Sequence, residues 1–206
     1  MTTLAIMKAR IADEMMRDDL TSQIAYAISD AIKYYQVKRF FFNEKDEITF
    51  STVASQNEYA AAANALIPNL YKIDWMTVGG DSFLGRITNE TWRDLTATTA
   101  SGEPCNYVYY NRVIRLYPTP SAIQTIRLSA HYKLSEPASD SEADNAWMVE
   151  AEELIRHRAK MLLFRDVEYD TEKAIVCAAA EQDAFIRLGS TSNSMTGTGV
   201  LVPTEF

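Results

Sequence analysis

The stretch Ile114-Arg-Leu-Tyr-Pro-Thr-Pro120 decides how the middle of the chain folds. It closes a segment, 107–117, that is rich in the aromatic and β-branched residues that strands favour. Pro118 and Pro120 cannot donate to a strand ladder, so the strand is predicted to end before them. This part of the chain is therefore predicted to be a strand followed by a stiff turn.

The segments on either side of this stretch also have the pattern of strands. Residues 47–53, 71–78 and 126–134 alternate or are rich in β-formers, and in the last of these His131 falls on the polar face. Turns are predicted at Gly79-Gly80-Asp81 and at Asn111-Arg112. Two short helices are expected within this β-rich region, at 57–66 and 89–95.

Both ends of the chain have the three- and four-residue spacing of amphipathic helices. The first end predicts two helices separated by a break at 18–21, and the second predicts one long helix from Trp147 to about Arg165. A last helix is predicted to begin at Asp170 or Thr171 and to stop at Gly189. We expect these helices to form a four-helix bundle.

The predicted fold class is α+β, with an α-helical bundle, an inserted antiparallel β subdomain and an extended C-terminal arm. The predicted boundaries are 1–40 for the N-terminal helices, 41–137 for the β-rich insert, 138–188 for the C-terminal helices and 189–206 for the arm. Residues 189–199 are poor in apolar residues, but the tip of the arm is apolar, through Val200, Leu201, Val202 and Phe206. Such a tip docks on a partner, folds back on its own bundle or stays disordered, and docking is the prediction.

The net charge of −8 is unevenly distributed along the 206 residues. Residues 1–134 contain 14 Lys and Arg against 14 Asp and Glu, whereas residues 135–206 contain 6 against 14. An acidic surface repels the phosphate backbone, which disfavours sequence-specific DNA binding. Alternatively, the acidic region has no functional role and is simply the solvated start of a helix.

Cys105 and Cys177 are far apart and form no CxxC pair, which argues against a disulfide framework or a zinc ribbon. No signal peptide and no apolar run of membrane-spanning length is recognised. We therefore predict a protein of a reducing cytoplasm that does not contact membranes.

The sequence offers no constellation for catalysis, metal or nucleotide binding. His157 is predicted to form an ordinary ion pair with Glu153 one helical turn away, and Ser129 and His131 lack both a nucleophile elbow and an orienting acid. No phosphate-binding glycine loop is present. We expect no cofactor and no enzymatic activity. Four tyrosines of the β region form either a core or interface, which is the prediction, or a stacking platform: Tyr107, Tyr109, Tyr110 and Tyr117.

One ordered set of short motifs carries a family resemblance, which covers about residues 20–190. It consists of Tyr71-Lys-Ile-Asp-Trp75, Ser101-Gly-Glu-Pro104, the stretch 114–120, Tyr132, and Trp147 followed by Glu153-Leu-Ile155. In this order the motifs resemble the head-to-tail adaptor (head completion, or connector) proteins of tailed bacteriophages.

The resemblance implies a structural virion protein at the head-tail interface, assembled in the host cytoplasm. Such adaptors form a ring, typically a dodecamer, that binds the portal protein, extends the DNA channel and offers a platform to tail or nozzle proteins. DNA would pass through the ring without specific binding, and the arm would reach the portal with its apolar tip. The alternatives are a tail-completion ring subunit and a virion-associated peptidoglycan hydrolase.

Overall fold

The structure is a computed structural model that describes residues 2–80, 82–96 and 100–196. The chain divides into two compact units. The helical unit combines the residues up to Phe42 with those from Leu134 onward, and the β unit is Asn43–Lys133. The prediction of an α+β chain is confirmed.

Six α-helices lie within the described residues. They are α1 (Leu4–Met15), α2 (Thr21–Tyr35), α3 (Asn89–Thr96), α4 (Ala146–Val149), α5 (Glu152–Asp166) and α6 (Thr171–Thr196). Only α3 belongs to the β unit. The other five pack around one core, in which Trp147 and the apolar faces of α1, α2 and α5 are buried.

The first two helices follow directly from their sequence. In α1 the buried residues Met7, Ile11 and Met15 recur every four positions, which places them on one face. Met16 ends the helix in the left-handed conformation, and its N–H bonds back to the last turn. The predicted break between the two helices is confirmed.

Two predictions about the C-terminal helices are wrong. The helix expected to run unbroken from Trp147 is divided into α4 and α5 by Glu150 and Ala151. The last helix does not stop at Gly189 but continues to Thr196. A tertiary contact outweighs the cost of about 1 kcal/mol for a glycine inside a helix: Ser192 is buried, and its hydroxyl accepts a hydrogen bond from the Phe41 N–H at 3.2 Å.

Ten short strands form the β unit. They are β1 (Glu44–Ser51), β2 (Glu58–Tyr59), β3 (Leu70–Val78), β4 (Ser82–Phe83), β5 (Gly85–Arg86), β6 (Ser101–Gly102), β7 (Asn106–Tyr110), β8 (Val113–Tyr117), β9 (Thr119–Pro120) and β10 (Thr125–Tyr132). These strands are the ones within the described residues. One sheet has the order β1-β10-β3-β4, the second β2-β8-β7-β5, and β6 pairs with β9. Most pairs are antiparallel as predicted, but β5 with β7 and β6 with β9 are parallel.

The stretch 114–120 behaves largely as its sequence predicts. Strand β8 ends at Tyr117, the Tyr117–Pro118 peptide bond is cis, and Thr119 and Pro120 pair with β6. The hairpin turn before β8 is confirmed, because both Asn111 and Arg112 have positive φ, at 50° and 64°.

Two further predictions in the β unit are wrong. The helix expected at 57–66 is replaced by β2 and a series of turns, because Tyr59 is buried and its hydroxyl donates to the Gln56 carbonyl at 2.7 Å. His131, expected on the polar face, is only 3% exposed. The register of β10 with β3 shifts on both sides of Ala130 and His131, which breaks the simple alternation of faces.

Candidate partner-binding surfaces

The long helix α6 is buried along one side only. Its buried side consists mainly of small residues, Ala174, Cys177 and Ala184, which allow α6 to pack closely against α5. The opposite side, which we call the outer face of α6, bears the side chains of Ile175, Val176, Ala179, Gln182, Asp183, Ile186 and Ser190. Ile175 is 64% exposed, Val176 69% and Ile186 58%. Large apolar side chains clustered at such exposure indicate a contact surface.

A second apolar surface is the groove between α2 and α5. Ala27, Leu162 and Leu163 line it together with Tyr26, which is 71% exposed, and its volume is about 200 Å³. The carboxylates of Asp30 and Asp166 also line it. The groove is therefore mainly apolar, and its two carboxylates are paired with Lys33 and Arg165.

A buried polar network sets how α6 lies against α2 and α5. Glu181 of α6 accepts hydrogen bonds from the Tyr35 hydroxyl and, at 2.7 Å, from Nη1 of Arg158. Burial and the neighbouring Glu181 carboxylate both raise the pKa of Tyr35. The guanidinium of Arg158 also lies over the ring of Tyr34, 3.3 Å from its centroid. One carboxylate thus connects three helices and orients the outer face of α6.

A second network joins α1 to α5. Arg156 donates to both carboxylate oxygens of Glu14, at 2.6 and 2.8 Å, and Lys160 donates to the same carboxylate. Glu152 bridges Arg156 and Arg10, each at 3.0 Å. Burial alone would raise the pKa of Glu14, but the hydrogen bonds from Lys160 and Arg156 outweigh it, so the pKa lies below its ordinary value of 4.5.

The histidines and cysteines differ in their surroundings. Nε2 of His157 lies 3.9 Å from Oε1 of Glu153, and this places the predicted pair one helical turn apart. Burial, with Lys160 and Arg156 nearby, lowers the pKa of His157 below 6.5. Cys105 is exposed and Cys177 is buried, and both are free thiols. Within the described ranges, no group of His, Cys, Asp and Glu could hold a metal ion.

The tyrosines of the β unit have different environments. Tyr107 is buried, and the hydroxyl of the half-buried Tyr109 donates to the carbonyls of Ile67 and Leu70 at 2.8 and 3.0 Å. Tyr110 is about half exposed and lies beside the guanidinium of Arg115. These contacts agree with a core role for Tyr107 and Tyr109.

The helix α3 lies over the same region through Arg115. Nη1 of Arg115 donates to Oδ1 of Asn89 at 2.8 Å, and the guanidinium lies over the ring of Trp92 at 4.7 Å. Glu58 of β2 pairs with Nε of the same side chain at 2.8 Å. Arg115 therefore holds α3, which buries none of its own residues, against the sheet.

The predicted tip residues Val200, Leu201, Val202 and Phe206 lie outside the residues that the structure describes. Sequence reasoning predicted α6 but not its outer face, because a helical pattern alone does not show which side other helices cover. A signal was available: Ile175, Ala179, Gln182 and Ile186 follow the alternating four- and three-residue spacing of a helical seam.

A family model described as SU10 adaptor protein matches residues 2–202, nearly the whole chain. The chain belongs to this family. The resemblance to phage head-to-tail adaptors is thereby confirmed, and membership of the SU10 adaptor family makes the chain a phage adaptor protein, a structural component of the virion that associates with other head or tail components. No curated protein matches the chain. Among the helices within the described residues of this SU10 adaptor family member, none has the length and apolar character required to span a bilayer.

Proposed function

We propose that the protein is a ring subunit that binds the portal protein, extends the DNA channel beyond it and offers the attachment platform for tail or nozzle proteins. The family match over residues 2–202 is the observation that carries this proposal. The ring, twelve-fold by analogy with such adaptors, would assemble in the host cytoplasm on the portal of a filled head.

The charge distribution supports a role beside DNA without binding it. The chain keeps its excess of acids in residues 135–206, but several of these acids pair with basic residues inside the helical unit. They are Asp140 with Lys8, Glu152 with Arg10, Glu168 with Arg17 and Glu153 with Arg187. Basic side chains held in this way are less available to phosphates, so DNA would slide past with little affinity.

Repeated weak contacts around a closed ring accumulate only when a template holds the subunits together. The isolated protein is therefore expected to be a monomer or a small oligomer, and to form rings when its portal is added. Sedimentation velocity with and without portal measures this, and cryo-electron microscopy of the mixture shows the ring. No association at micromolar concentrations would contradict the proposal.

The apolar tip is proposed to anchor the subunit to the portal. Each large side chain that becomes fully buried contributes roughly 1.5–3 kcal/mol to the binding free energy. The polar residues that precede the tip would set how far it extends and would add little affinity, because ordering them costs conformational entropy. Deleting residues 200–206, or replacing Leu201 and Phe206 together by Ala, is expected to abolish or greatly weaken portal binding and to leave the melting temperature nearly unchanged.

The matched control reorders residues 197–199 only. The residues before them belong to α6, which extends to Thr196 and contains the buried Ser192. Normal portal binding by the truncated protein would show that the tip is not the anchor. A fall of many degrees in melting temperature would show instead that the tip folds back on its own helical unit.

A further inference from the structure

Of the six helices within the described residues, α3 is the one that buries none of its own residues. We propose that α3 detaches from the β unit and redocks in one cooperative step while the sheets stay folded, and that Arg115 sets how often this happens. The proposal goes beyond the adaptor function and does not depend on it, because no partner takes part in the step.

The chain is fixed to the sheets on both sides of α3. Before the helix, the Ile87 N–H donates to the Tyr107 carbonyl at 2.9 Å, next to the pairing of β5 with β7. After the helix, the Ala100 carbonyl accepts from the Thr119 N–H at 3.1 Å, next to the pairing of β6 with β9. These main-chain bonds do not involve α3, so its detachment is confined to the chain between two fixed points.

The contact between α3 and the sheet is loosely packed. An open groove of about 630 Å³ lies between the start of the helix and β7, and Asn89, Thr91, Val108 and Tyr110 are among the residues that line it. Nε1 of Trp92 is buried, yet it has no hydrogen-bond partner within the described residues. Docking therefore gains few apolar contacts and leaves unsatisfied a donor that water would satisfy in the detached state.

Two side chains of α3 contact the same residue of β8. The guanidinium of Arg115 lies over the ring of Trp92, 4.7 Å from its centroid, and its Nη1 donates to Oδ1 of Asn89 at 2.8 Å. On the sheet, the same guanidinium pairs with Glu58 and lies 5.7 Å from the centroid of Tyr110. Because these two neighbours belong to the sheet, Arg115 stays in position when α3 leaves and is ready for redocking.

Detachment also unwinds α3. The helix has eight residues, fewer than the roughly 12–15 that an isolated helix needs in water. The Thr91 N–H donates to the Thr88 hydroxyl at 3.1 Å, and this cap stabilises the start of the helix but does not replace its contacts with the sheet. Docking and helix formation are thus one event, and the amides of α3 should exchange with solvent together.

Hydrogen–deuterium exchange of the full chain, followed by NMR at each amide, tests the proposal. The amides of residues 92–96 should exchange about a hundredfold faster than those of the central strand β10, because they open without unfolding of the sheets. They should still exchange more slowly than in an unstructured peptide, because α3 is docked most of the time.

Two variants test the role of Arg115. Arg115→Gln and Trp92→Ala should each accelerate exchange in α3 about tenfold, because each removes the contact between the guanidinium and the indole ring. Trp92 lies outside the core of the β unit, so its replacement leaves the sheets folded. An unchanged exchange rate in Trp92→Ala would overturn the role given to Arg115.

The matched control is Ile126→Val, at a fully buried position of β10. It should accelerate exchange in β10 about fivefold and leave α3 unchanged, because it weakens the sheet equally whether α3 is docked or detached. Equal acceleration of α3 and β10 in this variant would overturn the proposal, because α3 would then open only when the whole β unit unfolds. Wild-type α3 amides without any protection would also overturn it.

Trypsin provides a second measurement, because cleavage after Arg93 requires α3 to unwind. This cleavage should be about tenfold faster in Trp92→Ala and unaffected by Ile126→Val. The same rate in Trp92→Ala as in the wild type would contradict the proposal. Portal is absent from these experiments, so their outcome is separate from that of the adaptor proposal.

Discussion

The contacts that stabilise the helical unit internally differ in kind from those that stabilise the β unit. In the helical unit, charged side chains distant in sequence join the helices, as Glu14 of α1 does with Arg156 of α5 and Glu181 of α6 with Arg158. In the β unit, the main chain of β10 pairs with β1 on one side and with β3 on the other. A helix satisfies its own backbone, so only its side chains can specify a neighbour, whereas a strand specifies its neighbour through the ladder.

This difference teaches where each unit is vulnerable. In the helical unit, removal of a single side chain can abolish the contact that fixes the position of one helix against another. In the β unit, a comparable loss leaves the ladder in place and costs mainly packing. The following changes test this contrast, in order of decreasing expected effect.

Trp147→Ala is expected to be the most damaging change. Trp147 is fully buried against Phe40 and Phe42, and loss of so large a side chain costs about 4 kcal/mol of unfolding free energy. The matched change in the β unit is Leu128→Ala, at a fully buried site of the central strand, with an expected cost of about 3 kcal/mol.

Differential scanning calorimetry distinguishes the two units in these variants. If they unfold separately, Trp147→Ala lowers one transition and Leu128→Ala the other. One shared transition that both changes lower equally would show that the units unfold together.

Glu181→Ala should destabilise the helical unit by about 3 kcal/mol, because it leaves the guanidinium of Arg158 largely buried without its carboxylate. Glu181→Gln keeps an acceptor for the same donors and should cost clearly less. Urea unfolding monitored by circular dichroism measures both changes. Equal losses in the two variants would mean that packing of the side chain matters and its hydrogen bonds do not.

Glu14→Gln should lower stability by about 1 kcal/mol at pH 7, a modest value because the carboxylate is partly exposed and screened. The pKa of Glu14 is lower in the folded than in the unfolded chain. Its contribution is therefore present above the ordinary value of 4.5 and is lost as the pH falls through the lower folded value. Stability curves of the variant and the wild type should therefore converge as the pH falls below the lowered pKa of Glu14 in the folded chain.

Asp13→Asn, on the exposed side of the same helix, is the control for this titration. This substitution should change the free energy of unfolding little at pH 7 and at pH 3. A gap between Glu14→Gln and the wild type that stays constant from pH 7 to pH 3 would contradict the role given to the Glu14 carboxylate.

Arg112→Gly is expected to have the smallest effect and to stabilise the β unit. Arg112 has a φ of 64°, which glycine adopts without the steric cost of a β-carbon, but glycine also loses more conformational entropy on folding, so the net gain should be about 0.5 kcal/mol. Arg112→Ala keeps the β-carbon and should give no such gain. Urea midpoints of the two variants decide between relief of backbone strain and loss of the charge.

Much of the fold could be predicted from local patterns. The alternation in 71–78 and 126–134 predicted β3 and β10, Pro118 predicted the end of β8, and the apolar spacing predicted α1 and α2. Local patterns failed where a contact with a residue distant in sequence determines the secondary structure. Ser192 keeps α6 helical by bonding to Phe41, and the burial of Tyr59 replaces an alanine-rich helix with a strand.

The sequence by itself determined the α+β class, the break between α1 and α2, the hairpin at Asn111 and Arg112, and the resemblance that the family match confirmed, because these depend on neighbouring residues or on motifs. Only the tertiary structure decided that Glu181 connects three helices, that His131 is buried, and that Ile175, Val176 and Ile186 remain exposed. A helical pattern shows which side chains share a face, but which face is covered depends on helices that are distant in sequence.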